Sequence, residues 1–369
     1  MLLIQTDRET LLKALQSVTG IVERRHTLPI LSNVLVEGRG NQLSFVATDL
    51  EIQVRAESAE IRLEGDFQIT VSAKKLQDIL RALPEGTKVS LDQQEAKLLV
   101  KAGKSRFNLQ TLPAEDFPKF AGTDGAEQHF EISEKALRHA VNQVQFAMAQ
   151  QDIRYYLNGM LLVLTGGEMR VVSTDGHRLS FAKQTLEGAA GLEQEVIVPR
   201  KTVQELQRLL AESDEKVIVA SGKNSIRFKF GNIALDSKVV DGKFPDYGKV
   251  IPTGHKNKFK IDRLTFLQAL QRAAILSNEK FRGVRLILTQ GSVKVLSNNA
   301  EQEEAQEEIE IDYGGDALDI GFNVSYLLDV LNNIDSKEIE CSFGDSNSSG
   351  LITVPGDEGF KYVVMPMRI

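Results

Sequence analysis

The segment DIRYYLNGMLLVLTGGEMRVVSTDGHRLSF (residues 152–181) decides the architecture. Leu157, Met160, Leu161, Leu162 and Val163 form one apolar run, and Met169, Val171 and Val172 a second, joined by Gly166-Gly167. Two short aliphatic runs around a Gly-Gly pair predict an antiparallel hairpin. The second run breaks at Thr174-Asp175-Gly176-His177-Arg178-Leu179, where a glycine between Asp and His predicts a sharp turn. The same outline occurs in LPILSNVLVEGRGNQLSFVATDLEI (28–52) and in EKFRGVRLILTQGSVKVLSNNAEQEEA (279–305). Thr48-Asp49-Leu50 and Ser297-Asn298-Asn299 stand opposite Thr174-Asp175-Gly176 at intervals of about 125 residues, so the chain is three copies of one unit.

A helix precedes each hairpin. Thr6-Asp7-Arg8-Glu9 has the form of a capping box, and Leu11, Leu12, Leu15 and Val18 follow at helical spacing, which predicts a helix over residues 7–19. Ser133 and Asp262 open matching helices, with Leu137, Val141 and Val144 in one and Leu264, Leu267 and Leu270 in the other. A second helix follows each hairpin. Ser72 opens AKKLQDILRAL, Pro199, suited to a first helical position, opens RKTVQELQRLL, and Asn323 opens VSYLLDVLNNI. Short alternating runs come next, at 88–91, 98–101 and 106–109, at 217–220, 225–230 and 233–237, and at 339–343, 350–354 and 362–365. The predicted fold class is therefore α+β: three repeated domains, each of two halves, each half a helix plus an antiparallel sheet. Polar connectors AGTDGAEQH (121–129) and PTGHKNK (252–258) follow the matching phrases Asp116-Phe117-Pro118 and Lys243-Phe244-Pro245. They place the domains at 1–122, 129–251 and 255–369.

Of the 369 residues, 42% are hydrophobic, enough for a core in each domain. No apolar run reaches the ~18 residues that span a bilayer, and MLLIQTDRETLLK lacks the basic start and long apolar run of a secretory leader. One cysteine, Cys341, leaves no internal disulfide and fits a reducing cytoplasm. The histidines show no metal-ligand spacing, so no metal or other cofactor is implied.

The net charge of −7 argues against a tight nucleic-acid binder, but the charge is unevenly spread. The three domains carry about 0, −1 and −6, and the six predicted helices together about +5 against −12 for the rest of the chain. Helices facing one way would make a mildly basic surface that attracts a polyanion without gripping it; the plainer reading is that Lys and Arg are good surface helix formers. Lys97, Lys101, Lys104 and Arg106 form an acid-free run in the first domain. Glu301, Glu303, Glu304, Glu307, Glu308, Glu310 and Asp312 form a base-free run in the last. Opposite charges at the two ends of a repeat protein suit head-to-tail assembly, which closes into a ring when the rotation permits; the bland alternative is two unrelated solvated edges.

Catalytic signatures are missing: no phosphate-cradling glycine loop, no dinucleotide fingerprint, no nucleophile elbow. Asp175, His177 and Ser173 or Ser180 are close in sequence, but a triad needs its members to converge from separate elements. A partner-contacting turn is the better reading. The chain ends on Tyr362-Val363-Val364-Met365-Pro366-Met367-Arg368-Ile369, apolar where termini are usually polar, and two methionines beside a proline suit an adaptable apolar surface.

QDIRYYLNGML, TDGHRL, IVPRK, FPDY, AAILSNEKFRGVRL, NNAEQEEAQEE and the closing YVVMPMRI resemble the bacterial sliding clamp, the beta subunit of DNA polymerase III, over the whole chain. The resemblance implies a non-enzymatic homodimeric ring with helices lining the hole, encircling double-stranded DNA without regard to sequence. It implies that polymerases, clamp loader and repair proteins dock through short peptides. The implied peptide groove comprises Arg154, Leu157, Thr174, Gly176, His177, Arg178, Leu179, Pro245, Val250, Asn323, Tyr326, Ser349, Val363, Val364, Met365, Pro366, Met367 and Arg368. Implied DNA contacts are Arg25, Gln151, Tyr155 and Tyr156. The implied dimer seam sets Phe107 and Leu109 against Ile275, Leu276 and Phe281 of the other chain, flanked by Lys104 and Arg106 and by Glu301, Glu303 and Glu304. Lys249 and Asn347 depart from the family pattern at the groove border, where peptide preference would shift. A repeat-built interaction scaffold without nucleic acid is the alternative from the residues alone.

Overall fold

The computed structural model describes residues 1–23, 27–58, 61–120, 128–188 and 191–369. The first repeat holds strands β1 (Leu2–Asp7), β2 (Asn33–Arg39), β3 (Gln42–Thr48), β4 (Ile52–Glu57), β5 (Phe67–Ser72), β6 (Lys88–Gln94), β7 (Lys97–Ala102) and β8 (Ser105–Leu112), with helices α1 (Arg8–Val18) and α2 (Ala73–Ala82). The second holds β9 (Gln128–Ser133), β10 (Gly159–Thr165), β11 (Glu168–Thr174), β12 (Arg178–Thr185), β13 (Gln194–Pro199), β14 (Lys216–Ser221), β15 (Ser225–Phe230) and β16 (Ile233–Lys238), with α3 (Glu134–Val144) and α4 (Arg200–Leu209). The third holds β17 (Asn257–Asp262), β18 (Gly283–Thr289), β19 (Ser292–Asn298), β20 (Glu304–Glu310), β21 (Leu318–Asn323), β22 (Glu338–Phe343), β23 (Gly350–Val354) and β24 (Asp357–Val364), with α5 (Arg263–Ala274) and α6 (Val324–Asn333). The same order of elements runs three times, as the repeated hairpins predict.

The halves are not contiguous in sequence, and this corrects the predicted layout. The opening strands β1, β9 and β17 pair with β6, β14 and β22, in the sheet of the second half. Strands β5 and β21 pair back onto β2 and β18. The opening strands were missed because each is a six-residue run fused directly to its helix. The predicted cap at Thr6-Asp7-Arg8-Glu9 also differs: Asp7 caps α1 without a side-chain bond, and Glu9 accepts from the Gly86 N–H (3.1 Å) and from Arg8. Pro199 ends β13 rather than starting α4. Ser72, Asp262 and Asn323 do cap their helices, through Lys75, Thr265 and Ser325 N–H groups.

A repeated device ties each first helix to the turn after the second. The N–H of Arg8, Glu134 and Arg263 donates to Thr87, Glu215 and Lys337 carbonyls, each at 2.9 Å. The Arg8 and Arg263 guanidinium groups then reach the C-terminal carbonyls of α2 (Leu80, 2.6 Å) and α6 (Leu331, 2.6 Å), partners those carbonyls lack within a helix. Glu134 inverts the polarity and accepts from the Ala211 N–H (2.8 Å).

Two compact units emerge, Met1–Lys135 with Arg208–Val239, and Ala136–Gln207 with Val240–Ile369, so the second repeat is shared between them. In the first unit one sheet runs β1-β6-β7-β8-β5-β2-β3-β4-β16-β15-β14-β9. The β4–β16 pair, with Val54 opposite Leu235, fuses strands of two repeats. Leu11, Leu15 and Val18 of α1 and Leu76 and Leu80 of α2 are buried, as are Val36, Phe45 and Val54 of the sheet. In the second unit the sheets run β13-β10-β11-β12-β24-β23-β22-β17 and β20-β19-β18-β21. The larger core there joins Leu267 and Leu270 of α5 and Leu327 and Val330 of α6 to Leu286, Val295, Phe322 and Tyr362. The 121–129 connector lies outside the described residues apart from its last two.

Candidate partner-binding groove

Residues 150–158 form a braced loop. The Asp152 N–H donates to the Asn158 side-chain oxygen (2.9 Å), and Asn158 Nδ2 returns to the Asp152 carbonyl (2.8 Å). Gln151 makes the bend at φ 55°. Arg154 folds back on Asp152: its N–H and Nε donate to Oδ1 (2.8 and 3.0 Å) and Nη2 to Oδ2 (2.8 Å). The Arg154 side chain, then its backbone N–H, hold the Asp152 carboxyl down to about 2. So fixed, the loop presents Ile153, 90% exposed, and Tyr155, 74% exposed, to solvent.

The 174–178 turn is built the same way. Thr174 Oγ1 donates to the Arg178 carbonyl (2.6 Å) and accepts from the Gly176 N–H (3.1 Å). Asp175 Oδ1 accepts from the His177 and Arg178 N–H groups (2.9 and 3.1 Å). Thr48 and Asp49 repeat this pattern in the first repeat, where Leu50 takes φ 78° in place of glycine. Gly176, at φ 89°, has a second reason to lack a side chain: a Cβ would stand 3.1 Å from Arg154 Nη2. The third repeat differs. Its strand ends place Asn298 rather than Ser297 opposite Thr174, and Asn299 Oδ1 accepts from Glu301 and Glu303 across a longer turn.

Arg178 joins these parts. Its side chain is only 9% exposed. Nε donates to Asp175 Oδ2 (3.1 Å), Nη1 to Asp329 Oδ2 on α6 (2.5 Å) and Nη2 to the Phe146 carbonyl (2.7 Å). The guanidinium lies 4.5 Å from the Tyr326 ring centroid. Burial opposes its charge, but Tyr362, Asp329 and Asp175 outweigh burial and raise its hold on the proton.

The C-terminal segment arrives beside this turn. In the β12–β24 pair Leu179 lies opposite Val363 and Arg178 opposite Val364, and beyond the strand the Met365 N–H donates to the His177 carbonyl (2.9 Å). Leu179 and Val363 belong to an apolar cluster with Leu161, Val172, Phe181, Ile197 and Phe244, edged by Tyr156, Tyr247 and Ile251. Pro245 and Val250 stand exposed on the segment that supplies Phe244 and Tyr247. Beside it a cleft of about 360 Å³ is lined by Arg154, His177, Arg178 and Tyr326 with Phe146, Met148, Asp152 and Asp175. Leu157 and Thr174 are buried beneath the loop and turn. Asn323 caps α6, and Ser349 leads into β23, where Gly350 pairs with Val364. Met367 and Arg368 line a separate recess with Asn278 and Phe281.

An apolar floor, an exposed methionine and donors held by a braced loop and turn suit an extended peptide. They do not suit hydrolysis. Asp175 is committed to backbone N–H groups and Arg178, and the buried Ser180 hydroxyl donates to the Gln143 carbonyl. Sequence reasoning placed Asp175 on a partner-contacting turn without its bracing role, and it missed Asp152 and Asp329 as braces of the two arginines and the floor residues Phe181, Phe244, Tyr247 and Ile251. The Asp-x-Arg and Asp-x-x-Arg spacings were the available signal for Asp152 and Asp175.

The remaining implied residues divide as follows. Gln151 and Tyr155 are exposed, Tyr156 packs on the apolar cluster, and Arg25 lies outside the described residues. Phe107 is half-buried and Leu109 buried on β8, opposite Val100 and Leu98. Lys104 sits in the β7–β8 turn next to Arg106. Ile275 and Phe281 are 77% and 58% exposed after α5, and Leu276 is half-buried. Glu304 opens β20, an edge strand, and Glu301 and Glu303 lie in the turn before it.

A structure of this kind, α+β units repeated three times with a candidate groove in the second unit, has close relatives. Residues 2–121, 131–246 and 248–368 match the N-terminal, central and C-terminal domains of the DNA polymerase III beta subunit. The beta sliding clamp of Pseudomonas aeruginosa is 49% identical over 98% of each chain, and that of Escherichia coli K12 44% identical over 98% of this chain and 99% of its own. The crystal structure of the P. aeruginosa clamp bound to griselimycin superposes with a TM-score of 0.96 at 48% identity over all of both chains. That of the Caulobacter crescentus polymerase III beta subunit does so with 0.93 at 42%, again over all of both chains. The chain belongs to the DNA polymerase III beta-subunit family, the beta sliding clamps.

Proposed function

We propose that the chain acts as a DNA sliding clamp: it encircles duplex DNA as a head-to-tail dimer and tethers polymerases and repair proteins through the groove around Arg178, Leu179 and Met365. The observation that carries the groove is the meeting of the 174–179 turn with the C-terminal segment, through the Leu179–Val363 strand pair and the His177–Met365 bond. Apolar anchors of a partner peptide lie on the Leu179–Val363 floor between Val250 and Met365, and Arg154, His177 and Tyr326 orient it. Griselimycin, the ligand of the P. aeruginosa clamp, is a natural probe of this site.

The seam forms between β8 of one protomer and β20 of its partner. Among the described residues, 105–110 of β8 pair only with β7 and β20 only with β19, so each offers an edge to a partner. Phe107 and Leu109 meet Ile275, Leu276 and Phe281, while Lys104 and Arg106 face Glu301, Glu303 and Glu304. Helices directed to the hole give the mildly basic lining, and Arg25, Gln151, Tyr155 and Tyr156 touch DNA transiently. The domains divide at 1–122, 129–251 and 255–369. The chain performs no catalysis: it raises the local concentration of a tethered polymerase to the millimolar order, so that rebinding outruns escape. A separate loader opens the ring in the cytoplasm.

Primer extension on a singly primed circle tests the tether. Loaded wild-type clamp lengthens products, and removal of residues 365–369 returns them to the length made by polymerase alone. Unchanged long products with the truncated chain would overturn the groove.

A further inference from the structure

The last five residues do more than edge the groove. Met365 is held at the groove by the His177 carbonyl, and two residues on, the Met367 N–H donates to the Gly321 carbonyl of β21 (2.9 Å). Ile369 then lies over the four-stranded sheet of the third repeat. The floor there is glycine by necessity: a Cβ on Gly321 would fall 2.4 Å from the Met367 carbonyl oxygen, and one on Gly283 would fall 2.9 Å from Ile369 Cδ1. Met367, Arg368 and Ile369 also wall the recess that Phe281 lines, next to the proposed seam. β21 is the edge strand of its sheet, and the tail covers its outer side.

We propose that Met365–Ile369 is a strap with two positions, docked on the Gly283–Gly321 floor or lifted, and that a peptide entering the groove favours the lifted one. This rests on the groove reading above. Met365 is 45% exposed at the groove mouth and Ile369 is 55% exposed, so each end is only partly anchored. Pro366 stiffens the link between them, because a fixed φ transmits displacement along a short segment. A ligand that pushes Met365 aside therefore strains the Met367–Gly321 bond and unseats Ile369. Linkage is reciprocal: whatever unseats Ile369 must tighten peptide binding by the same factor. Lifting also removes one wall of the Phe281 recess, so subunits exchange faster with the groove occupied.

Hydrogen exchange of the full-length dimer, with and without saturating griselimycin, reads the strap directly. We expect faster exchange at the Met367 amide and within β21 on binding, and faster subunit exchange in a mixing assay. Gly321→Ala should lift the tail without ligand and bind griselimycin at least about fivefold more tightly. Deletion of Ile369 alone should act in the same direction and controls for any strain that alanine puts into β21. Binding with unchanged exchange at Met367, or unaltered affinity in both variants, overturns the strap and leaves the groove standing. No binding of griselimycin to any form overturns the groove reading and the strap with it.

Discussion

Arg178 is the residue on which the groove depends. It touches the turn, α6, the Phe146 carbonyl and the Tyr326 ring at once, so no shorter side chain replaces it. Arg178→Lys should weaken griselimycin binding by about tenfold or more and lower stability by about 2 kcal/mol, since one ammonium cannot serve Asp175, Asp329 and the Phe146 carbonyl together. Calorimetric titration and thermal unfolding check both. Asp152 makes a pH statement. Its folded-state value of about 2 lies below the usual 3.8, so its bracing of Arg154 is fully present above about 3.8 and fades as pH falls toward 2. The difference in melting temperature between wild type and Asp152→Asn should therefore be constant from pH 7 to 5 and shrink below pH 4; a difference that grows on acidification would contradict the assignment.

At the scale of elements, the turn after each hairpin sets the second repeat, which carries the candidate site, apart from the first. Thr48-Asp49 and Thr174-Asp175 make the same hydrogen bonds, yet only Gly176 lets Arg154 close on the turn. Gly176→Ala should cost about 1–2 kcal/mol from its left-handed backbone and also displace Arg154, reducing griselimycin affinity. The helix ties are a separate test. Arg263→Ala frees carbonyls at the end of α6 and should lower stability by about 2 kcal/mol, with griselimycin affinity unchanged. The hairpins and helices were legible because each buries a periodic apolar face. The opening strands were not, because Leu2–Asp7, Gln128–Ser133 and Asn257–Asp262 find their partners in distant second-half sheets. The groove's apolar end was legible as an odd C-terminus. The acid braces Asp152 and Asp329 were not, since their partners lie across turns and helices that only folding brings together.

For the whole molecule, charge and edges act together. The acid-free β7–β8 hairpin and the acid-rich β20 were visible in the sequence as runs of like charge. The structure adds that, among the described residues, positions 105–110 of β8 and all of β20 each pair with a single neighbouring strand and leave backbone groups unused. Ile275→Ala with Leu276→Ala should give monomers in light scattering at concentrations where wild type is dimeric. Clamp action itself rests on topology rather than affinity, which reconciles a net charge of −7 with lasting association with DNA. The most direct measurement is retention on DNA of the two forms. Loaded onto a nicked circle, the protein should remain through gel filtration at moderate salt and leave within seconds to minutes once a restriction enzyme linearises the circle. Equal loss from circular and linear DNA would contradict the account.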